Sequence, residues 1–421
     1  MVARPWRVFL DAHTRLCNGE SRRRWTAGCH EHVMIGDLEL YRGREQAYVK
    51  HFLLSEYVET WAHKVGSQWT ELAYVDGFSG PWQNADEGFA DTSFGIALGA
   101  LTRAKATWAG LGRPRKVSAY LVEKDPGSYQ RLQEVRAHFP EVEIKTYLGS
   151  FIDQAPTILR DIPKSAFAFF FIDPKGWKVD MRRIAPLLKR ADSEVVFNFM
   201  FDFINRFAKA LDPKTAASLD LLFADDGWRI RLDEVPPPGM DPTDHRKTVL
   251  VDIFSSSLRK IGGYRHVAET TVLRPTMDRP LYSLVYGTRN AIGLEVFRNS
   301  QIKALAKQDE ARGVAKLDAA VKATKQTELW SSLGDLAPAP SKAILDGEER
   351  SAKATLLEAI PKAPSSIRWR DVWPAVMERH VVGKAKINQM ANELRKDGSL
   401  FVTGWGPRQR SPADENRVSR P

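Results

Sequence analysis

The chain has 421 residues, 43% hydrophobic and 27% charged, which excludes a disordered or fibrous protein and leaves length for about two domains. It holds no run of 18 apolar residues, and Met1 to Phe9 carries Arg4 and Arg7 where a signal peptide needs an unbroken apolar stretch; neither a membrane span nor export is expected, and the location expected is cytoplasmic. The net charge of +10 points to an anionic partner, but from Arg350 onward 14 Lys and Arg oppose 7 Asp and Glu, so +7 of it lies in the last sixth of the chain and +3 before it.

Residues 1–44 are irregular and polar, with an arginine run at Arg22, Arg23 and Arg24, and read as an N-terminal arm. Cys17 and Cys29 are the only cysteines, which excludes a disulfide framework. With His30 and His32 they form C-x11-C-H-x-H, which lacks the paired close spacing of zinc sites, so no metal is expected. Gln46 to Val65 places Val49, Phe52, Leu53, Tyr57 and Trp61 near the 3.6-residue period of an amphipathic helix.

Beyond it, apolar runs alternate with helical stretches. The runs are Leu72–Val75, Val117–Val122, Val142–Tyr147, Ala166–Ile172 and Glu194–Met200; the helices include Ser93–Ala106, Ser128–Ala137, Met181–Lys189 and Lys247–Lys260. Runs apolar on both faces and separated by helices predict a parallel sheet covered on both sides. Arg265–Leu273 and Leu281–Gly287 are joined too closely for a helical crossover, so they pair antiparallel. Five parallel strands followed by an antiparallel hairpin is the element order of the Rossmann-like class I methyltransferase fold.

The domain spans 45–333, ending in a polar helical stretch from Gly293. Ala337–Lys342 (APAPSK) marks a linker over 334–349, and residues 350–410 follow with three helices and a two-stranded turn, the pattern of a winged helix-turn-helix; 411–421 reads as a disordered tail.

Four stretches carry candidate chemistry, each just past an apolar run. In Tyr74-Val75-Asp76-Gly77-Phe78-Ser79-Gly80, the glycine-bearing turn lets a backbone approach a ligand, and Asp76 is placed to accept hydrogen bonds from a nucleoside cofactor. A tight strand-exit turn without a ligand is the competing reading. Glu123, in Leu121-Val122-Glu123-Lys124-Asp125, ends the second run where ribose hydroxyls are accepted, while Asp125 is placed to cap a helix. In Phe170-Phe171-Ile172-Asp173-Pro174-Lys175-Gly176-Trp177, Asp173 would steer an amine and Trp177 stack on a flat acceptor; a solvated Asp and a core Trp is the alternative. Asn198, Asp202, Asn205 and Arg206 interrupt an aromatic run after the fifth strand, with an i, i+4 ion pair of Asp202 and Arg206 as the structural alternative. No GxxxxGK[ST], HExxH or GxSxG stretch occurs, so P-loop, zincin and α/β-hydrolase chemistry have no support.

The stretches VDGFSGPW, LVEKD, LGSFID, FFFIDPKGW, NFMFDFINRF and YSLVYGTRNAIGLEVF, in this order between Gln46 and Phe297, resemble the three-Cys-motif partner protein (TcmP) family, and the tail is similar to a module fused to some members. The resemblance implies a methyltransferase domain that uses S-adenosylmethionine and a partner with three cysteines, akin to radical S-adenosylmethionine proteins. Family sequences tend to read DGFAGPG and DPFG; here Trp82 replaces the last glycine and Lys175 the aromatic. Asp76, Gly77, Phe78, Gly80 and Glu123 are then the cofactor candidates, and Asp173, Trp177, Asn198 and Asp202 the acceptor-site candidates.

In the last helix of the tail, Ile387, Ala391 and Leu394 form an apolar stripe, leaving Lys384, Lys386, Asn388, Gln389, Asn392 and Arg395 for DNA or RNA, with Arg408 and Arg410 on the wing. The expectation is a methyltransferase acting on nucleic acid or a nucleotide-like substrate. Its rival is a noncatalytic scaffold that presents nucleic acid to the three-cysteine partner.

Overall fold

The computed structural model describes residues 38–80, 88–208, 212–225, 227–324 and 340–421, and every structural statement here concerns those residues. A 3-10 turn at Leu38–Tyr41 leads into α1 (Glu45–Gly66), whose Tyr57, Val58 and Trp61 are sealed in the core. Then β1 (Glu71–Asp76), α2 (Ser93–Gly110), β2 (Lys116–Glu123), α3 (Pro126–Gln133) and the single turn α4 (Val135–His138) follow. Next come β3 (Glu143–Leu148), α5 (Phe151–Asp161), β4 (Phe167–Ile172), α6 (Met181–Leu188) and β5 (Ser193–Phe199). The helices α7 (Phe201–Ala208), α8 (Pro213–Phe223), α9 (Trp228–Leu232) and α10 (Pro242–Gly262) precede a hairpin of β6 (His266–Leu273) and β7 (Pro280–Thr288).

The strands form one seven-stranded sheet in the order β3-β2-β1-β4-β5-β7-β6; pairing is parallel from β3 to β5 and antiparallel where β7 joins β5 and β6. The central strand β4, FAFFFI, is buried along its whole length, as a run covered on both faces must be. Strand alternation then divides the sheet's side chains between two cores. Leu72, Tyr74, Leu121, Phe169, Phe171 and Val196 pack beneath α1 and α2, while Val75, Val122, Phe170, Ile172 and Val195 face α5, α6 and α10. Polar caps fix the helix starts: Thr92, Asp125, Ser150, Asp180 and Asp241 each accept a backbone N–H of the first turn.

The strand boundaries fall within a residue or two of those expected from the apolar runs. The C-terminal segment departs from expectation. After α11 (Ala291–Thr324), helix α12 runs Pro340–Ala359, so residues 340–349 are helix rather than linker. Pro340 opens a helix, where its missing N–H costs nothing, instead of breaking one. Strand β8 (Ile367–Arg368), α13 (Trp369–Arg379), α14 (Lys384–Lys396), β9 (Phe401–Thr403) and β10 (Arg417–Ser419) complete the chain. The small sheet has the order β8-β10-β9, so β10, in the segment read as a disordered tail, is its central strand. The fully buried Val418 supplies the apolar anchor, and buried Asn416 bonds the carbonyls of Thr403 and Gly404.

Residues Ile35–Pro421 belong to one compact unit. Arg298 of α11 is buried and donates to the carbonyls of Met377 (2.7 Å) and Glu378 (2.9 Å) at the end of α13, and to Glu269 (2.9 Å) on β6. A guanidinium on the last carbonyls of a helix also meets the negative end of its dipole. Glu378 in turn binds Arg259 and His266, both at 2.6 Å. The tail is therefore docked on the hairpin side of the large sheet.

Candidate functional site

Asp76, Leu121 and Phe171 are register partners on β1, β2 and β4. Glu123 and Asp173 lie two residues beyond Leu121 and Phe171, so strand alternation sends Asp76, Glu123 and Asp173 to the same side, under α1 and α2, at the C-terminal edge of three adjacent strands. Asn198 on β5 shares that side with Val196. Ligands of open α/β sheets bind at this edge.

Asp76 is completely buried. Its Oδ1 accepts the Phe78 N–H (3.0 Å), and its Oδ2 accepts the hydroxyls of Ser93 (2.8 Å) and Tyr74 (3.1 Å). Burial pushes its pKa up to about 6 against the pull of the three donors, and the nearby Asp173 charge adds to the rise. With both oxygens engaged, Asp76 shapes the turn after β1 from within. Gly77 has a packing role: a Cβ there would meet the Phe151 ring at 2.9 Å, and its N–H donates to the Phe171 carbonyl. Phe78 packs on the same ring, 5.8 Å between centroids, and Gly80 ends the described stretch before residues 81–87, which include Trp82 and lie outside it.

Glu123 is 4% exposed, and its Oε1 accepts the Asp125 N–H at 2.6 Å, leaving Oε2 without a protein donor among the described residues. Asp125 caps α3 through Ser128, as its position anticipates.

Asp173 is clasped by two groups. Lys50 of α1 reaches its Oδ2 at 2.5 Å, and the Asn198 side-chain N–H reaches its Oδ1 at 2.5 Å. That donation fixes the amide orientation and leaves Asn198 Oδ1 buried with no hydrogen-bond partner. A buried acceptor without a donor is costly, so it marks a place where an N–H or O–H of a ligand would be received. Burial and the Asp173 charge also raise the Tyr282 hydroxyl pKa well above its ordinary value.

Trp177 does not join this cluster. It is 7% exposed, donates to Ser218 Oγ at 2.7 Å, and belongs to the core on the opposite side of the sheet from Asp173, with the exposed Phe203 and Phe207 packed over it. The turn through Gly176, at φ +96°, carries the chain across the sheet edge, which the spacing from Asp173 to Trp177 conceals. Asp202 holds Arg206 at 3.2 Å and Arg274 at 2.6 Å, tying α7 to the hairpin loop, and Asn205 accepts from Arg246. These are structural pairs. The sequence reading missed Lys50, which sits among the polar positions of an amphipathic helix and gains meaning only from the strand it covers.

Among the tail candidates, Lys384 is held by Asp414 (3.1 Å) and lies over the Trp373 ring (4.1 Å), Lys386 pairs with Glu349 (2.8 Å), and Asn388 accepts the Trp369 indole N–H (3.0 Å). Arg395 stacks over Trp405 at 4.3 Å. Gln389 is exposed and bonds Glu393, Asn392 is half-buried, and Arg408 and Arg410 are exposed. The Cys17, Cys29, His30 and His32 group lies outside the described residues, as does the arginine run. No described helix is long and apolar enough to cross a membrane.

No family model and no curated protein matches the chain. Among solved structures, the crystal structure of protein LPL1258 from Legionella pneumophila str. Philadelphia 1, described by family-model DUF519, matches over 58% of this chain and 85% of its own, at 11% identity and a TM-score of 0.33. A likeness of that size adds nothing to what the site itself provides.

Proposed function

We propose that this chain is an S-adenosylmethionine-dependent methyltransferase acting on nucleic acid or a nucleotide-like substrate, together with a three-Cys-motif, radical S-adenosylmethionine-like partner of the kind the TcmP resemblance implies. The strand order 3-2-1-4-5-7-6 supports it, being that of class I methyltransferases. The observation that carries it is the open Oε2 of Glu123 at the C-terminal end of β2, beside β1, where a ribose hydroxyl is received. When bound, the cofactor supplies an electrophilic methyl group. The fit is at Glu123 and not at Gly77, whose missing side chain makes room for Phe151.

Asp76 acts as a positioning residue, holding the turn after β1 through the Phe78 N–H. Asn198 Oδ1 accepts an N–H of the substrate amine and turns its lone pair outward; Lys50 and Asp173 hold the amide in that orientation. Positioning of this kind is most of what an in-line displacement asks of a protein, and an error of 1 Å costs on the order of 10²-fold in rate.

We read the three helices and three-stranded sheet of the tail as a winged helix-turn-helix. Its contribution to DNA or RNA binding rests on Asn392, Arg408 and Arg410, since Lys384, Lys386, Asn388, Gln389 and Arg395 are engaged within the protein.

The test is transfer of labelled methyl groups to total RNA and DNA with the partner present. Asn198→Ala should retain its fold by circular dichroism and lose transfer by about 10²-fold. Transfer equal to that of the unaltered protein would remove Asn198 from the acceptor site, and its absence in every protein would leave the scaffold reading.

A further inference from the structure

A cavity of about 420 Å³ opens between α6 and α10, on the face of the sheet opposite Asp173. Its cations come from three helices, Arg231 being on α9. Arg182 in the first turn of α6 and Lys189, the residue that follows its last one, are seven residues apart, about 10 Å along the axis, and Lys260 occupies the last turn of α10. Lys189 and Lys260 are exposed, and no acid pairs with either among the described residues. Lysines near helix ends ordinarily satisfy the terminal carbonyls. Here Arg289 does so, donating to Leu188 at the end of α6 (2.9 Å) and to Gly262 at the end of α10, and it draws the two helix ends together. Both lysines are thus left at one end of the cavity, their ammonium groups without an acidic partner among the described residues.

Ser257, one turn before Lys260, also lines the cavity. It is 8% exposed, and its hydroxyl is buried without any hydrogen bond, although a helical serine normally bonds the carbonyl four residues back. Of the acids nearby, Asp252 and Glu234 hold Arg231, which lines the far end, while Asp225 accepts the Gly227 N–H at the exposed rim and keeps its charge. Trp228 gives an apolar wall, its indole N–H taken by Asp220 and its face by Arg229, so no ring stacks there.

We propose that this groove binds the phosphate groups of a phosphate-bearing ligand, with Lys189 and Lys260 on the charge and the Ser257 hydroxyl donating to an oxygen. The chemistry is that of a phosphate ester or diester, whether of a free phosphorylated metabolite or of a nucleic-acid backbone. It is independent of the methyl-transfer reading.

The test is calorimetry of the full chain with inorganic pyrophosphate and fluorescence anisotropy with a ten-nucleotide oligothymidylate. Lys189→Glu/Lys260→Glu should weaken pyrophosphate at least about tenfold, the scale of lost charge-assisted hydrogen bonds, and Ser257→Ala about threefold. Lys164→Glu/Arg136→Glu removes the same charge at exposed positions elsewhere and should leave binding unchanged. A parallel loss of oligothymidylate identifies a nucleic-acid backbone; loss of pyrophosphate alone identifies a free phosphorylated ligand. Pyrophosphate binding that survives the groove variant, is absent from the unaltered protein, or falls equally in the control overturns the proposal.

Discussion

The edge of the large sheet and helix α14 both present polar residues that the sequence marks as functional, and they meet different fates. At the edge, Asp76, Glu123, Asp173 and Asn198 end up on one face, and two acceptor atoms, Glu123 Oε2 and Asn198 Oδ1, remain open. On α14, Lys384, Lys386 and Asn388 are taken up by Asp414, Glu349 and Trp369. A strand's two-residue period and its register fix where a side chain points, so spacing along parallel strands translates into a shared site. A helix surface fixes direction only; whether its polar groups are spent depends on segments that fold back from elsewhere.

The most disruptive change should be at the junction of the two regions. Replacing Arg298 by Met leaves the carbonyls of Met377 and Glu378 without their side-chain donor, while Glu269 keeps Gln301, and should cost about 3 kcal/mol in denaturant unfolding. Burial has already lowered the Arg298 pKa to about 10, the mark of a strongly desolvated cation. Proteolysis of the tail should accelerate in step; a tail no easier to cleave would mean that docking does not depend on this residue.

Asp76 offers a test in pH. Its folded pKa of about 6 exceeds the ordinary 3.8, so the native state holds the proton more tightly than the unfolded chain. The stability it contributes is complete below the unfolded value and is lost as pH rises to about 6, a change on the order of 2 to 3 kcal/mol. Asp76→Asn should therefore gain stability relative to the unaltered protein as pH goes from 4 to 7 in thermal melts, the sequence-independent part of the curve cancelling. A constant difference across that range would contradict the burial argument.

On the tail, Asn388→Ala should cost about 1 kcal/mol through the orphaned Trp369 indole while leaving nucleic-acid affinity unchanged. Lost affinity would restore Asn388 as a reader of bases. A smaller loss belongs to Lys384→Ala, at most about 1 kcal/mol for a pair near the surface. Arg408→Ala/Arg410→Ala should leave stability unaltered and reduce the slope of log affinity against log salt by about 2, one for each phosphate contact.

Most of the sheet was legible because its strands are unbroken apolar runs such as FAFFFI, and periodicity needs no partner to be read. The sharing of a face by Glu123 and Asp173 follows from register once the order of strands is known. Trp177 misled because a glycine turn takes it across the sheet, so nearness in sequence to Asp173 says nothing about side. Residues 411–421 looked disordered for want of apolar residues, yet the single Val418, with Asn416 satisfying loop carbonyls, suffices when two short strands already wait to be paired. Lys50 was hidden for the opposite reason: 123 residues separate it from Asp173.

The central claim is that the open carboxylate of Glu123 receives a nucleoside cofactor. Calorimetric titration with S-adenosylmethionine tests it most directly. Binding by the unaltered protein that weakens at least about tenfold in Glu123→Ala, with the fold intact, is the predicted result. No binding, or binding that Glu123→Ala leaves unchanged, would contradict it.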